Sequence, residues 1–148
     1  MNKLLLQTSF VLLLGVGLMV PTFSYANEIT VYKSATCGCC KEWVKHLQAN
    51  GFSVKAQDVS DLQSYKTANG VPAKLASCHT ATVDGYVIEG HVPANDIKRL
   101  LKERPAVSGL AVPGMPVGSP GMEQGAHKDR YEVLTFDKQG KTGVYAQY

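Results

Sequence analysis

The stretch SATCGCCKEWVKHL, Ser34 to Leu47, limits this chain more than any other. Cys37, Cys39 and Cys40 fall within four residues, and directly after them Trp43, Val44 and Leu47 sit at i, i+1 and i+4 of one apolar helical face. Lys41, Glu42, Lys45 and His46 lie outside that face, so His46 reads as solvated and Trp43 as core. Three cysteines crowded at a helix start cannot staple distant loops to one another. The adjacent pair Cys39 and Cys40 could bridge only by straining its own backbone. Two structural bridges, the ordinary reading of four cysteines in a small exported chain, therefore fit poorly.

Export is read from the first residues. Met1 to Lys3 give a positive end, LLLQTSFVLLLGVGLMV is apolar and uncharged, and PTFSYA closes with small residues. This predicts a signal peptide over residues 1–26, cleaved after Ala26, with an uncleaved anchor as the alternative. No cysteine stands at the cut to accept a lipid. Residues 27–148 then suffice for a single exported domain. All four cysteines, Cys37, Cys39, Cys40 and Cys78, lie in that exported part, where disulfides persist. The net charge of +3 and a basic run no denser than KRLLKER, which suits a solvated helix face, give nucleic acid no footing as a partner.

Around the cysteines the pattern alternates between periods. EITVYKS predicts a strand at about Ile29 to Lys33, the helix follows and stops at NGF, and FSVKAQDV predicts a second strand. SDLQSYKTANG predicts a short helix capped by Ser60 or Asp61 and closed by Gly70. ATV, the turn pair Asp84-Gly85 and YVIEG make a hairpin, and HVPANDIKRLLKERP a helix between Pro93 and Pro105. The fold class is therefore α/β, with a mixed sheet and flanking helices. From Pro105 to Asp129 the chain is rich in Gly and Pro, has no period, and holds Met115 and Met122 in matching Pro-Gly-Met contexts. YEVLTFD and TGVYAQY then predict a C-terminal hairpin, so this loop is held at both ends. His127, beside Lys128 and Asp129, reads as loop surface.

A cysteine at a helix N-terminus faces unpaired N–H groups and the positive end of the dipole, and Lys41 adds a charge, so thiolate is favoured over thiol. Cys37 and Cys40 have the spacing of a thiol–disulfide pair. Strand, C-x-x-C and helix in that order resemble the thioredoxin-like superfamily over Ile29 to Glu103. That resemblance implies a cis-proline near the site, with Val71-Pro72 and the SCHT segment both eligible for its place, and implies that His91 in EGHVP looks toward the cysteines.

Exchange chemistry needs two sulfurs, so Cys39 and Cys78 would be surplus and liable to scramble the pair. A soft cation removes that objection and the mutual repulsion of thiolates. Copper(I) takes thiolate, thioether and imidazole, and the candidate ligands are Cys37, Cys39, Cys40, Cys78, His79, His91, Met115 and Met122. Zinc would be satisfied by four closed ligands, and the methionines point instead to copper.

TCGCCKEW, VPAKLASCHTATVDGYVIEGHVPANDIKRLL and GLAVPGMPVGSPGME together resemble the CopG-type periplasmic copper-resistance proteins, a family long described as a domain of unknown function. The resemblance implies a thioredoxin-like fold, a thiolate-bridged multinuclear copper site, and a part in bacterial copper tolerance with redox chemistry of the metal. Copper export or oxidation proteins would be its partners. Two other readings stand beside it: a thiol–disulfide oxidoreductase acting through Cys37 and Cys40, and a disulfide-stapled interaction module without chemistry.

Overall fold

The computed structural model describes residues 27–148, and the expected signal peptide, residues 1–26, lies outside them. The elements are β1 (Glu28–Lys33), α1 (Gly38–Ala49), β2 (Ser53–Asp58), α2 (Leu62–Ala68), a 3-10 turn (Ala73–Leu75), β3 (His79–Val83), β4 (Tyr86–Glu89), α3 (Ala94–Glu103), β5 (Gly109–Ala111), β6 (Glu132–Phe136) and β7 (Thr142–Gln147). The order strand, helix, strand, helix, strand, strand, helix expected from periodicity is present through α3. β1 runs parallel to β2, with α1 as the crossover. β3 runs antiparallel to β1 and makes a hairpin with β4 through Asp84 and Gly85. Their φ values, 47° and 84°, are both positive, as a tight type I′ turn requires. Asp61 caps α2, its Oδ1 accepting the Ser64 N–H at 3.0 Å.

β5 departs from the sequence reading, in which Pro105 to Asp129 is one irregular segment. It pairs in parallel with β4 and antiparallel with β6, and so carries the sheet on to the terminal hairpin in the order β2-β1-β3-β4-β5-β6-β7. Three residues, one of them glycine, are too few to show a period. The expected terminal hairpin is β6–β7.

Alternation along the strands assigns the two faces. Ile29, Val31, Ala81, Val83 and Ile88 pack with Trp43 and Leu47 of α1 and Ile97 and Leu100 of α3 in the larger core. Val87, Ala111 and Phe136 turn the other way and pack with Leu75. Each fully buried side chain of this size contributes about 1.5–3 kcal/mol relative to exposure. The Trp43 indole also donates to the Val92 carbonyl at 2.9 Å, which ties α1 to the segment leading into α3. Among the described residues no helix is long and apolar enough to cross a membrane.

Candidate metal and redox centre

Strand pairing brings three chain segments to one end of the sheet. Lys33, the last residue of β1, lies opposite His79, the first of β3, so the cysteine turn after β1 meets Cys78. The hairpin returns β4 beside β3, and the Gly90 N–H donates to the His79 carbonyl at 3.1 Å, placing His91 alongside. Cys37 is the N-cap of α1, and its sulfur accepts the Cys40 N–H at 3.3 Å. Cys37 and Cys40 are joined as a disulfide, with Cys37 part-exposed and Cys40 buried. Cys39 and Cys78 are free thiols.

The Cys39 sulfur lies 3.5 Å from that of Cys37 and 3.7 Å from that of Cys78. A disulfide sulfur has no proton, so the Cys39 thiol is the only possible donor in the first contact. The sulfurs of Cys37, Cys39, Cys40 and Cys78 all lie within 4.8 Å of one another, and one ligand atom each of Cys78, His79 and His91 does likewise. Both imidazoles are fully buried.

Their tautomers follow from their partners. His91 Nδ1 lies 2.8 Å from the Pro120 carbonyl, which can only accept, so Nδ1 carries the proton and Nε2 is bare. Nε2 lies 3.0 Å from the Cys78 sulfur and accepts its S–H. His79 Nδ1 lies 3.3 Å from the same sulfur, whose one proton is already given, so it donates and leaves Nε2 bare. That Nε2 is buried and has no hydrogen-bond partner, with the ring packed between Trp43 at 4.3 Å and His91 at 5.0 Å between centroids. An unpaired buried acceptor is costly unless something binds it.

The local field keeps this cluster neutral. Burial, then the neighbouring Cys39, pushes the Cys78 thiol up to about 12. Burial also holds His79 well below its ordinary range, reinforced by His91 and Lys66. For His91, burial lowers the value against the opposing hydrogen bond to Pro120 and the charge of Glu123.

The Gly/Pro/Met loop covers the cluster and is pinned at two points. Ser77 Oγ donates to the Gly114 carbonyl. At Gly121, with φ +85°, an added Cβ would stand 2.7 Å from the Trp43 nitrogen and 2.8 Å from the Cys39 carbonyl, so the loop backbone rests directly on the first turn of α1. Ser119 and Pro120 are buried there. Met115 and Met122 each follow a pinned residue; Met115 is 53% exposed and Met122 part-buried. His127 is exposed, as expected, and pairs with Asp129.

Several contributors escape a reading of the sequence. Glu89 is fully buried and accepts from Lys66 Nζ, from the Ser77 N–H at 2.6 Å and from the Thr80 hydroxyl at 2.7 Å, while Lys66 also donates to Thr80 at 3.0 Å. This network holds the residue before Cys78. The expectation for His46 is corrected: it is part-buried, and its Nε2 accepts the Ala94 N–H at 3.1 Å, capping α3, whose own N-cap Pro93 offers no side-chain acceptor. Among the described residues no peptide bond is cis. Ser77-Cys78 is the segment facing the cysteine turn, while Pro72 starts the 3-10 turn. Every residue of YVIE is buried, so a carboxylate at Glu89 demands partners, and the sequence alone does not show that burial.

Residues 75–122 match the family described as a protein of unknown function, DUF411, a span holding Cys78, both buried histidines and both loop methionines. No curated protein matches the chain. Two solved structures of copper resistance protein CopG, its forms 2 and 1, are each 50% identical and cover 82% of this chain. The match takes in 98% and 96% of those structures, with TM-scores of 0.79 and 0.78. Identity at that level over nearly the whole of the relative, joined to the thiol and imidazole cluster, makes this chain a member of the CopG-type copper-resistance family.

Proposed function

We propose that this chain is an exported, periplasmic copper-binding protein of copper tolerance, with residues 1–26 removed and residues 27–148 acting as one domain. It holds copper(I), in more than one ion per chain, on Cys37, Cys39, Cys40, Cys78, His79 and His91, with Met115 and Met122 at its cover. The observation that carries this reading is the convergence of four sulfurs within 4.8 Å of one another, with the buried His91 Nε2 3.0 Å from the Cys78 sulfur. Thiolate sulfur and imidazole suit a soft monovalent ion, and bridging sulfur lets four cysteines serve several ions. Copper supplies one-electron chemistry at such a site.

The protein's own residues prepare the cluster. Opening the Cys37–Cys40 disulfide frees two further ligands. The Pro120 carbonyl holds His91 with Nε2 toward Cys78, Glu89 anchors the Ser77 N–H, and the loop limits water. Elemental analysis of protein purified anaerobically under reducing conditions should find copper in preference to zinc, and Cys78→Ser should lose most of it. A single tightly held zinc without copper would sink the reading.

The disulfide itself favours a second reading, thiol–disulfide exchange through a part-exposed Cys37 and a buried Cys40 at a helix start. Cys78→Ser separates the two, because exchange between Cys37 and Cys40 should survive it.

A further inference from the structure

Two free thiols beside a disulfide are not inert. Exchange proceeds by attack of one sulfur on another, and reacting atoms about 3–3.5 Å apart are close to an attack arrangement. The Cys39 sulfur stands 3.5 Å from the disulfide sulfur of Cys37 and 3.7 Å from the free sulfur of Cys78, so it touches both the bond and a second thiol. Gly38, between Cys37 and Cys39, has no other group within 4 Å of its Cβ position, so open space adjoins the two sulfurs' turn.

We propose that this chain catalyses an internal thiol–disulfide relay, in which the bond moves from Cys37–Cys40 to Cys39–Cys78 with Cys39 as the shared sulfur. First, Cys39 gives up its proton and attacks the Cys37 sulfur. The Cys37–Cys39 bond forms, the Cys37–Cys40 bond breaks, and its electron pair leaves on Cys40, which takes up a proton. Then Cys78 passes its proton to His91 Nε2, 3.0 Å from its sulfur, and attacks the Cys39 sulfur. The Cys39–Cys78 bond forms, the Cys37–Cys39 bond breaks, and the pair leaves on Cys37, which takes up a proton and whose sulfur already accepts the Cys40 N–H at 3.3 Å. One disulfide and two thiols stand on each side of the sequence, so no outside oxidant or reductant is consumed.

The product ties α1 to the segment before β3 and leaves Cys37 and Cys40 reduced. A chain that has lost two electrons thereby keeps its helix-start thiol pair available to an incoming ion or disulfide. The relay needs no metal and stands whether or not the chain holds copper.

The test uses purified protein stripped of metal, fully reduced, and given one equivalent of oxidised glutathione without air, in the presence of a chelator. Samples are quenched in acid, alkylated and mapped by mass spectrometry over time. The Cys37–Cys40 linkage should appear first and decline as Cys39–Cys78 grows to a constant ratio, with a rate constant unchanged over about a tenfold range of protein concentration, as an internal exchange requires. In Cys78→Ser the second step has no thiol, so the Cys37–Cys39 linkage should accumulate beside Cys37–Cys40. A Cys37–Cys40 linkage that never moves, transfer that speeds up with protein concentration, or absence of Cys37–Cys39 in Cys78→Ser overturns the proposal.

Discussion

Two polar clusters are buried on opposite faces of β3, one residue apart in sequence. On one face Thr80 joins Lys66, Glu89 and the Ser77 N–H in a network whose charges and donors are matched. On the other, His79 joins Cys78 and His91, and there a ring nitrogen has no partner and two thiols remain free. Burial costs both clusters their hydration, but only the first recovers it in full from within the chain; the second leaves His79 Nε2 without a partner. A polar group that folding leaves unmatched at full burial marks where a ligand belongs, whereas a matched network marks what holds the ligand's neighbours still.

The contrast breaks most sharply at Lys66. Lys66→Met leaves the Glu89 carboxylate buried without its counter-charge, and removing one partner of such a pair costs about 3–5 kcal/mol. Chemical denaturation of the metal-free protein should show a loss of that size. Lys66→Met combined with Glu89→Leu should recover part of it, because the uncompensated charge is gone. His79→Ala, by contrast, removes an unmatched group and should cost less than Lys66→Met despite complete burial. A Lys66→Met protein as stable as the parent would mean the two clusters do not differ in the way described.

How far each cluster could be read in the sequence follows from the same physics. Cysteine spacing, helix periodicity and the Asp84-Gly85 turn are local signals, and they located the three converging segments through α3 and raised Cys78, His79 and His91 as ligands. Nothing in the local pattern pairs Lys66 with Glu89, because α2 is only seven residues long and the partner lies 23 positions away. His46 read as solvated because its helix periodicity says nothing of the N-terminus of α3 arriving beside it. The hold on His91 is a backbone carbonyl, that of Pro120, and a carbonyl leaves no signature in residue type. β5, at three residues, is too short to show a period.

A smaller effect sharpens what the loop does for the unmatched cluster. Gly121→Ala drives a methyl group against the Trp43 nitrogen and the Cys39 carbonyl, which are backbone atoms that cannot swing aside. Overpacking of this kind costs about 1–3 kcal/mol, and relief requires the loop to lift from α1, taking Pro120 from His91. Gly125→Ala is the control, since Gly125 also has a positive φ, +62°, but nothing within 4 Å of its Cβ position. Only Gly121→Ala should speed loss of copper(I) to a chelator. Equal losses in both variants would reduce the loop to a backbone constraint.

The smallest effect separates a part-buried histidine from the fully buried pair. Burial holds the His46 imidazole below its ordinary range, with Glu123 opposing, and its bare Nε2 receives the Ala94 N–H. Below about pH 6.5 the unfolded chain protonates at this position while the folded chain resists. Acid therefore favours unfolding, and the stability present above that pH is lost as pH falls toward the folded value. His79 and His91 are lowered too and act with the same sign. His46→Gln keeps an amide oxygen for capping and removes one titrating group, so melts of the metal-free protein from pH 7.5 to 5 should become shallower without becoming flat. Because His46 is only part-buried, solvent screening keeps the change small. A steeper acid loss in His46→Gln would reverse the sign assigned to this histidine, and an unchanged profile would assign the whole acid sensitivity to the buried pair.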